Sequence, residues 1–300
     1  MAMTMRREAT TEVEHRLARE TQLWWRAPIG HVLSRPLGVA GAALIVLLSV
    51  TAMLAHLVAP FDPTAQPADR LLAPGSTYWL GTDEFGRDIL SRILYGARVS
   101  LQVGAISVGI ALVAGSVLGV ISGFFLGMVD SLVQRVVDIM LAFPAVILII
   151  AISGVLGPSL VTAMIAIGIV YAPNFARIVR GPTLVVMQQQ YVEAGRAIGA
   201  GSARLMIRYV LPNVMAPIIV QATLALSTAI LAEATLSFLG LGTQPPDPSW
   251  GTMLGSGRKY METAPWVAIF PGLAIALTVL GFNLLGDALR DALDPSLRQL

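Results

Sequence analysis

The sequence predicts an all-α polytopic membrane protein with six transmembrane helices and both termini on the cytoplasmic side. Three observations carry that prediction. The chain is 55% hydrophobic and only 13% charged, where soluble domains carry about 25% charged residues, and its mean hydropathy is +0.73. Six apolar stretches are long enough to cross about 30 Å of hydrocarbon: residues 37–59, 99–126, 136–156, 158–177, 213–236 and 265–286. The basic residues divide unevenly between alternating loops. With the N-terminus inside, Arg70, Arg87, Arg92, Arg98, Arg258 and Lys259 fall outside, which leaves 14 of the 20 on the cytoplasmic face. Lys and Arg favour that face, so this orientation is preferred over its inverse.

Residues 1–36 mix acids and arginines around Trp24 and Trp25, the pattern of a solvated cytoplasmic arm that can carry an interfacial helix. The first apolar run is too long for the 7–15-residue core typical of a cleavable signal, and Pro60-Phe61-Asp62-Pro63 follows it instead of a cleavage site. It is expected to remain as the first span. In the external loop 60–98, Thr82 or Asp83 can cap a helix, with Phe85, Ile89, Ile93 and Gly96 near helical spacing. Asp88 and Arg92 stand at i,i+4 in the favourable order. Such a helix suits the membrane interface, a platform for an external partner, or both.

The second span carries Ala111, Gly115, Gly119, Gly123 and Gly127, each four residues from the last. A small-residue stripe lets helix backbones approach closely, within the chain or against a partner. Gly157-Pro158 predicts a tight hairpin between the third and fourth spans. Asp138, three residues after Arg135, is expected to be neutralised locally. The external loop 237–264 holds Pro245, Pro246 and Pro248, a stiff segment suited to a gate, a docking surface or a plain connector. All five Trp fall outside span centres, as their preference for the membrane–water interface requires. Asp287, Arg290 and Asp291 are expected to close the last helix as a salt-linked end.

Several chemistries are absent. There is no Cys, hence no thiolate metal site or Cys nucleophile. No Walker-type Gly-Lys-Ser/Thr loop, no His-Glu-x-x-His and no Gly-x-Ser-x-Gly occurs. His15, His31 and His56 cluster with nothing. No metal site and no catalytic set is therefore expected. Glu233, near the outer end of the fifth span, is the candidate for a substrate pathway, lining a water-filled cavity or reaching the interface.

The polar segment 178–212 breaks the apolar pattern. A short helix fits Glu193 to Ile198, Gly199 and Gly201 end it, and a second helical run leads to Pro212. Its sequence is Glu193-Ala194-Gly195, three residues, Gly199, nine residues, then Tyr209-Val210-Leu211-Pro212. This resembles the Glu-Ala-Ala, Gly, Ile-x-Leu-Pro signature of ABC importer permeases, with Gly195 in place of Ala and Tyr209 in place of Ile. Leu80-Gly81-Thr82-Asp83-Glu84-Phe85-Gly86-Arg87-Asp88, Ser237-Phe238-Leu239-Gly240-Leu241-Gly242 and Asn283-Leu284-Leu285-Gly286-Asp287 are similar to the C-type permease subunit of dipeptide/oligopeptide transporters, a family that includes glutathione and nickel importers.

The resemblance covers residues 37–297, between the 1–36 arm and the 298–300 tail. It implies the type I ABC importer permease fold, a second and homologous permease subunit, two cytoplasmic ATPase subunits that carry ATP and Mg, and an external solute-binding protein. It makes 178–212 a coupling loop. Glu193, Ala194, Gly195, Gly199, Leu211 and Pro212 would engage an ATPase subunit, and the chain itself would hydrolyse nothing. Gly195 and Tyr209, where the chain departs from the signature, are the expected places for partner-specific contacts. An ion-coupled secondary transporter is the alternative; it needs ion-coordinating groups at mid-membrane, and acids are scarce there.

Overall fold

The computed structural model describes residues 35–293; the 298–300 tail and all but the last two residues of the 1–36 arm lie outside that range. In chain order the helices are α1 (Pro36–Met53), α2 (Ala55–Val58), α3 (Ile89–Phe125), α4 (Gly127–Ala142), α5 (Ala145–Leu156), α6 (Leu160–Met187), α7 (Gln190–Ala197), α8 (Ser202–Leu205), α9 (Met215–Phe238), α10 (Trp250–Gly257) and α11 (Trp266–Leu293). A wide π turn, Met206–Val210, and a 3-10 turn, Leu211–Val214, join α8 to α9. Among the described residues five segments are long and apolar enough to cross a membrane, and α4 with α5 makes a sixth if taken as one broken span.

α3 revises the second predicted span and the loop before it. It starts at Ile89 rather than 99 and runs for 37 residues. At 1.5 Å per residue that is roughly 55 Å, so part of it extends beyond about 30 Å of hydrocarbon. Its cap is Asp88, not Thr82 or Asp83: Ser91 donates to Asp88 Oδ2 from its amide at 2.8 Å and its hydroxyl at 2.6 Å. With Asp88 so used, Arg92 turns elsewhere and donates to Pro63 O at 2.8 Å. Thr82 and Asp83 instead organise the loop. The Thr82 hydroxyl donates to Asp69 O at 2.8 Å, and Asp83 Oδ1 accepts the Phe85 and Arg87 amides at 2.9 and 3.0 Å.

The small-residue stripe packs within the chain, against α6. A Cβ on Gly119 would stand 2.5 Å from Ala176 O and 2.9 Å from Val179 Cβ; one on Gly123 would stand 2.7 Å from Thr183 Cγ2. Gly127 is not part of it. It opens α4 at φ 53, with open space where a side chain would go. This close packing explains why α6 outruns its predicted end at 177. Its contacts with α3 extend through Thr183 and hold the helix past Pro182, which local propensity alone would make a terminus.

The third predicted span, 136–156, is broken. α4 and α5 meet at 93°, because Phe143 precedes Pro144 and is extended, φ −93° and ψ 141°. A residue before proline is pushed out of the helical region by the ring. α4 is tied to α6 by two ion pairs. Arg180 grips Asp130 through Nε at 2.7 Å and Nη2 at 2.6 Å, and Ser122 also donates to Asp130. Asp138 pairs with Arg177 rather than with Arg135, because its partner stands on the packed neighbour. In the same way Asp291 is bound by Arg35 at the start of α1, which replaces the salt-linked end expected within α11. Gly41 and Gly281 let α1 and α11 touch, a Cβ on Gly41 meeting Leu285 N at 2.7 Å.

The core lies between α3, α5, α6 and α9, around Val103, Ile149, Ile167, Phe175 and Leu236. On the far side the loop 237–264 is not a bare connector. Ser249 caps α10 with a reciprocal Ser249–Thr252 box. Trp250 is buried on Gly96 of α3 and its indole N–H donates to Ile93 O at 3.0 Å. That Trp therefore answers to a protein pocket, not to the membrane interface.

Candidate functional site

The signature residues gather on α7 and the segment that follows it. α7 is amphipathic over two turns. Val192 is fully buried, Gly195 is buried, and Glu193, Ala194, Arg196 and Ile198 are exposed. The buried side joins Val120, Val179, Val186, Val210, Val214 and Ile218 in one apolar cluster. Glu193 in the first turn and Arg196 in the last complement the helix dipole. Tyr191 stacks on Tyr209, ring centroids 6.5 Å apart and planes at 18°; burial pushes its phenol up, so it stays protonated. Arg196 lies over the Phe124 ring at 5.8 Å. Neither contact was legible in the sequence: the stack depends on how the chain turns after Gly199, and the Arg–Phe contact on how α7 docks against the end of α3.

That turn is a Schellman ending. The Ala200 amide donates to Gly195 O at 3.0 Å and the Gly199 amide to Arg196 O at 2.9 Å. Gly199 sits at φ 81, where a side chain is strained although nothing crowds it. Gly201 is different: it is extended, φ −66° and ψ 156°, and stands before α8.

Pro212 does not stop the helix, as its position suggested. It occupies the first turn of Leu211–Val214, where a missing N–H is tolerated, and the widened Met206–Val210 turn precedes it. Ser202–Phe238 thus runs as one long helical path. The two departures from the signature also meet indoors. A Cβ on Gly195 would come 3.0 Å from Leu205 Cδ2 and 3.7 Å from Tyr209 Cζ. They support α7 from behind and leave Glu193, Ala194 and Ile198 as its outward face.

Leu211 carries the site into the membrane region. With Met206, Leu112, Val117, Ile219 and Leu226 it lines an apolar groove of about 710 Å³ between α3, α9 and the π turn. Ser116 and Thr223 are polar members of that wall. Glu233 is absent from it. Its side chain is fully buried, accepting from Ser237 Oγ at 2.6 Å and Thr243 Oγ1 at 3.4 Å. It holds the start of the 237–264 loop and does not reach the interface, because that loop folds back over it.

Residues 115–299 match the family described as "Binding-protein-dependent transport system inner membrane component". The dipeptide transport system permease protein DppC of Alkalihalophilus pseudofirmus is 46% identical over 275 residues, 91% of this chain and 90% of that protein. The chain belongs to that permease family. The permease is also similar to the di/tripeptide transport system permease protein DppC of Pseudomonas aeruginosa, 51% identical over 269 residues, 87% of this chain and 89% of that one. The glutathione transport system permease protein GsiD of Pectobacterium atrosepticum is 44% identical over 276 residues, 91% and 92% of the two chains. A solved structure of the MetNI methionine ABC transporter in inward-facing conformations has the same fold, with TM-score 0.56 and 21% identity over 68% of this chain and 96% of that one. The permease therefore has the type I ABC importer fold and is a membrane transport subunit rather than a catalyst.

Proposed function

We propose that this permease is one of two different membrane subunits of an ATP-driven importer in the cytoplasmic membrane of a prokaryote. It translocates di- or oligopeptides delivered by an external solute-binding protein. Two cytoplasmic ATPase subunits, which hold ATP and Mg, supply the energy. Both termini and α7 lie on the cytoplasmic side, in keeping with the arginine distribution.

The observation that carries this reading is the two-sidedness of α7. Its inner face, Val192 and Gly195, packs into the apolar cluster and against Leu205 and Tyr209, and its outer face, Glu193, Ala194 and Ile198, is exposed. A push on that face travels through Tyr209 into the π turn and so to Leu211 in the groove wall. The groove becomes half of the pathway when the second permease covers it. The names of two relatives, for dipeptides and di/tripeptides, support the substrate class. Glutathione, itself a peptide, is the second reading, favoured by the GsiD relative.

The test is uptake by the reconstituted complex in proteoliposomes. Import of a labelled dipeptide should require ATP, the binding protein and both ATPase subunits. Uptake driven by an ion gradient without the ATPases would overturn the proposal.

A further inference from the structure

Away from α7, the loops 60–88 and 240–260 enclose a second cavity, of about 410 Å³. Six charged side chains line it: Asp83, Glu84, Arg87, Arg92, Asp247 and Lys259. Three are cations and three are anions, so the cavity as a whole is neutral. Locally its hydrogen bonding is incomplete. Asp83 serves two guanidiniums, Arg87 Nε at 2.6 Å and Arg92 Nε at 3.6 Å, and the second distance is too long for a hydrogen bond. Arg92 is 3% exposed and its Nε has no hydrogen-bond partner. Glu84 reaches Arg87 only loosely, Oε1 standing 4.0 Å from Nη2, and its Oε2 is buried with no hydrogen-bond partner. Buried charged groups are normally fully hydrogen-bonded, so two unmet ones of opposite sign in one wall point to a ligand with both signs. At the rim, Asp247 and Lys259 are exposed and repeat the same pairing of signs.

We propose that this cavity binds a small zwitterion, an amino acid or dipeptide with free ammonium and carboxylate ends. A lone anion or cation gains nothing from a neutral cavity, whereas a zwitterion satisfies both unmet groups without changing the net charge. The carboxylate is taken by Arg92 and Lys259, the ammonium by Glu84 and Asp247. The volume is within the usual range for small-molecule sites, about 300–1,000 Å³. Met253 and Val267 add apolar wall that tolerates a side chain. The site would hold substrate at the outer face before it enters the pathway. The choice of a peptide as ligand rests on the proposed function; the charge pattern does not.

Lys259 is the only lysine of the chain, which gives the site its own reporter. The full-length permease in lipid nanodiscs is treated, with and without glycyl-leucine, with an amine-reactive acetylating reagent kept scarce relative to the dipeptide. Acetylation of Lys259 is quantified by mass spectrometry against that of Nα-acetyl-lysinamide added to the same tube, which cancels the reagent consumed by the dipeptide's own amine. Glycyl-leucine should protect Lys259 in a saturable way, and N-acetyl-glycyl-leucinamide, which has neither charge, should not. Asp247→Asn, at an exposed rim position that the fold does not need, should weaken protection at least fivefold, and Arg92→Gln further still. Equal protection by the blocked peptide, no protection at all, or protection unaltered in Asp247→Asn would overturn the inference. So would protection given only by the external binding protein, which would make the cavity a protein-docking pocket. Lost protection with peptide import intact refutes this site alone. Intact protection in a complex that imports no peptide refutes only the proposed function.

Discussion

At the scale of single residues, Gly199 is the most demanding position of α7. Its φ of 81 is costly for an L side chain, about 1–2 kcal/mol, while the space around it is open. Gly199→Ala should therefore lower coupling between ATP hydrolysis and import without changing membrane insertion, and Gly199→Asn, which tolerates left-handed backbone, should be milder. Coupled ATPase and uptake rates in the same vesicles measure this; equal effects of Ala and Asn would show that backbone conformation is not the cause. The glycine was legible in the sequence as a break. The reason for it was not, since the Schellman bonds from Ala200 and Gly199 require the turn to be seen. The surroundings of Glu233 were hidden for a related reason: Ser237 and Thr243 become its partners only once the following loop folds back.

At the scale of elements, the α3–α6 seam and the Trp250 anchor hold the bundle together. Gly119→Leu must push into Ala176 and Val179 and should cost about 1–3 kcal/mol or more by overpacking. Gly109→Leu, on the same helix, meets open space and should leave the unfolding transition of the detergent-solubilised chain unchanged. Since Gly109 lines the groove, it should nevertheless reduce transport; a drop in stability equal to that of Gly119→Leu would refute the assignment of faces. Trp250→Ala removes a buried indole and its bond to Ile93 O, a loss of about 3–5 kcal/mol, and should expose the 237–264 loop to protease. Unchanged digestion would mean that α10 is held by other contacts. Long apolar stretches and the four-residue stripe read directly as helices and as a packing face. Their ends did not, because Asp88 was in competition with Thr82 and Asp83 as a cap, and packing carried α6 past Pro182.

For the whole molecule, in the proposed importer energy enters at α7, passage follows the groove between α3 and α9, and outer recognition falls to the loops 60–88 and 240–260. The all-helical plan of five to six apolar segments and the family were visible in the sequence, since composition, the long apolar runs and the 193–212 signature are properties of the chain alone. The break at Phe143-Pro144 and the cross-links Arg177–Asp138, Arg180–Asp130 and Arg35–Asp291 were not, because each joins residues whose proximity only the packed bundle creates. The central claim is that the outward face of α7 is the cytoplasmic contact for an ATPase subunit. The absence of native cysteine allows a clean test by site-directed cross-linking of Ile198→Cys, a position 81% exposed, in the assembled complex. The account predicts a cross-link to an ATPase subunit whose yield changes with ATP, with Lys259→Cys giving none. Labelling of Ile198→Cys by a membrane-impermeant reagent added from outside, or full ATP-driven import with no ATPase cross-link, would contradict it.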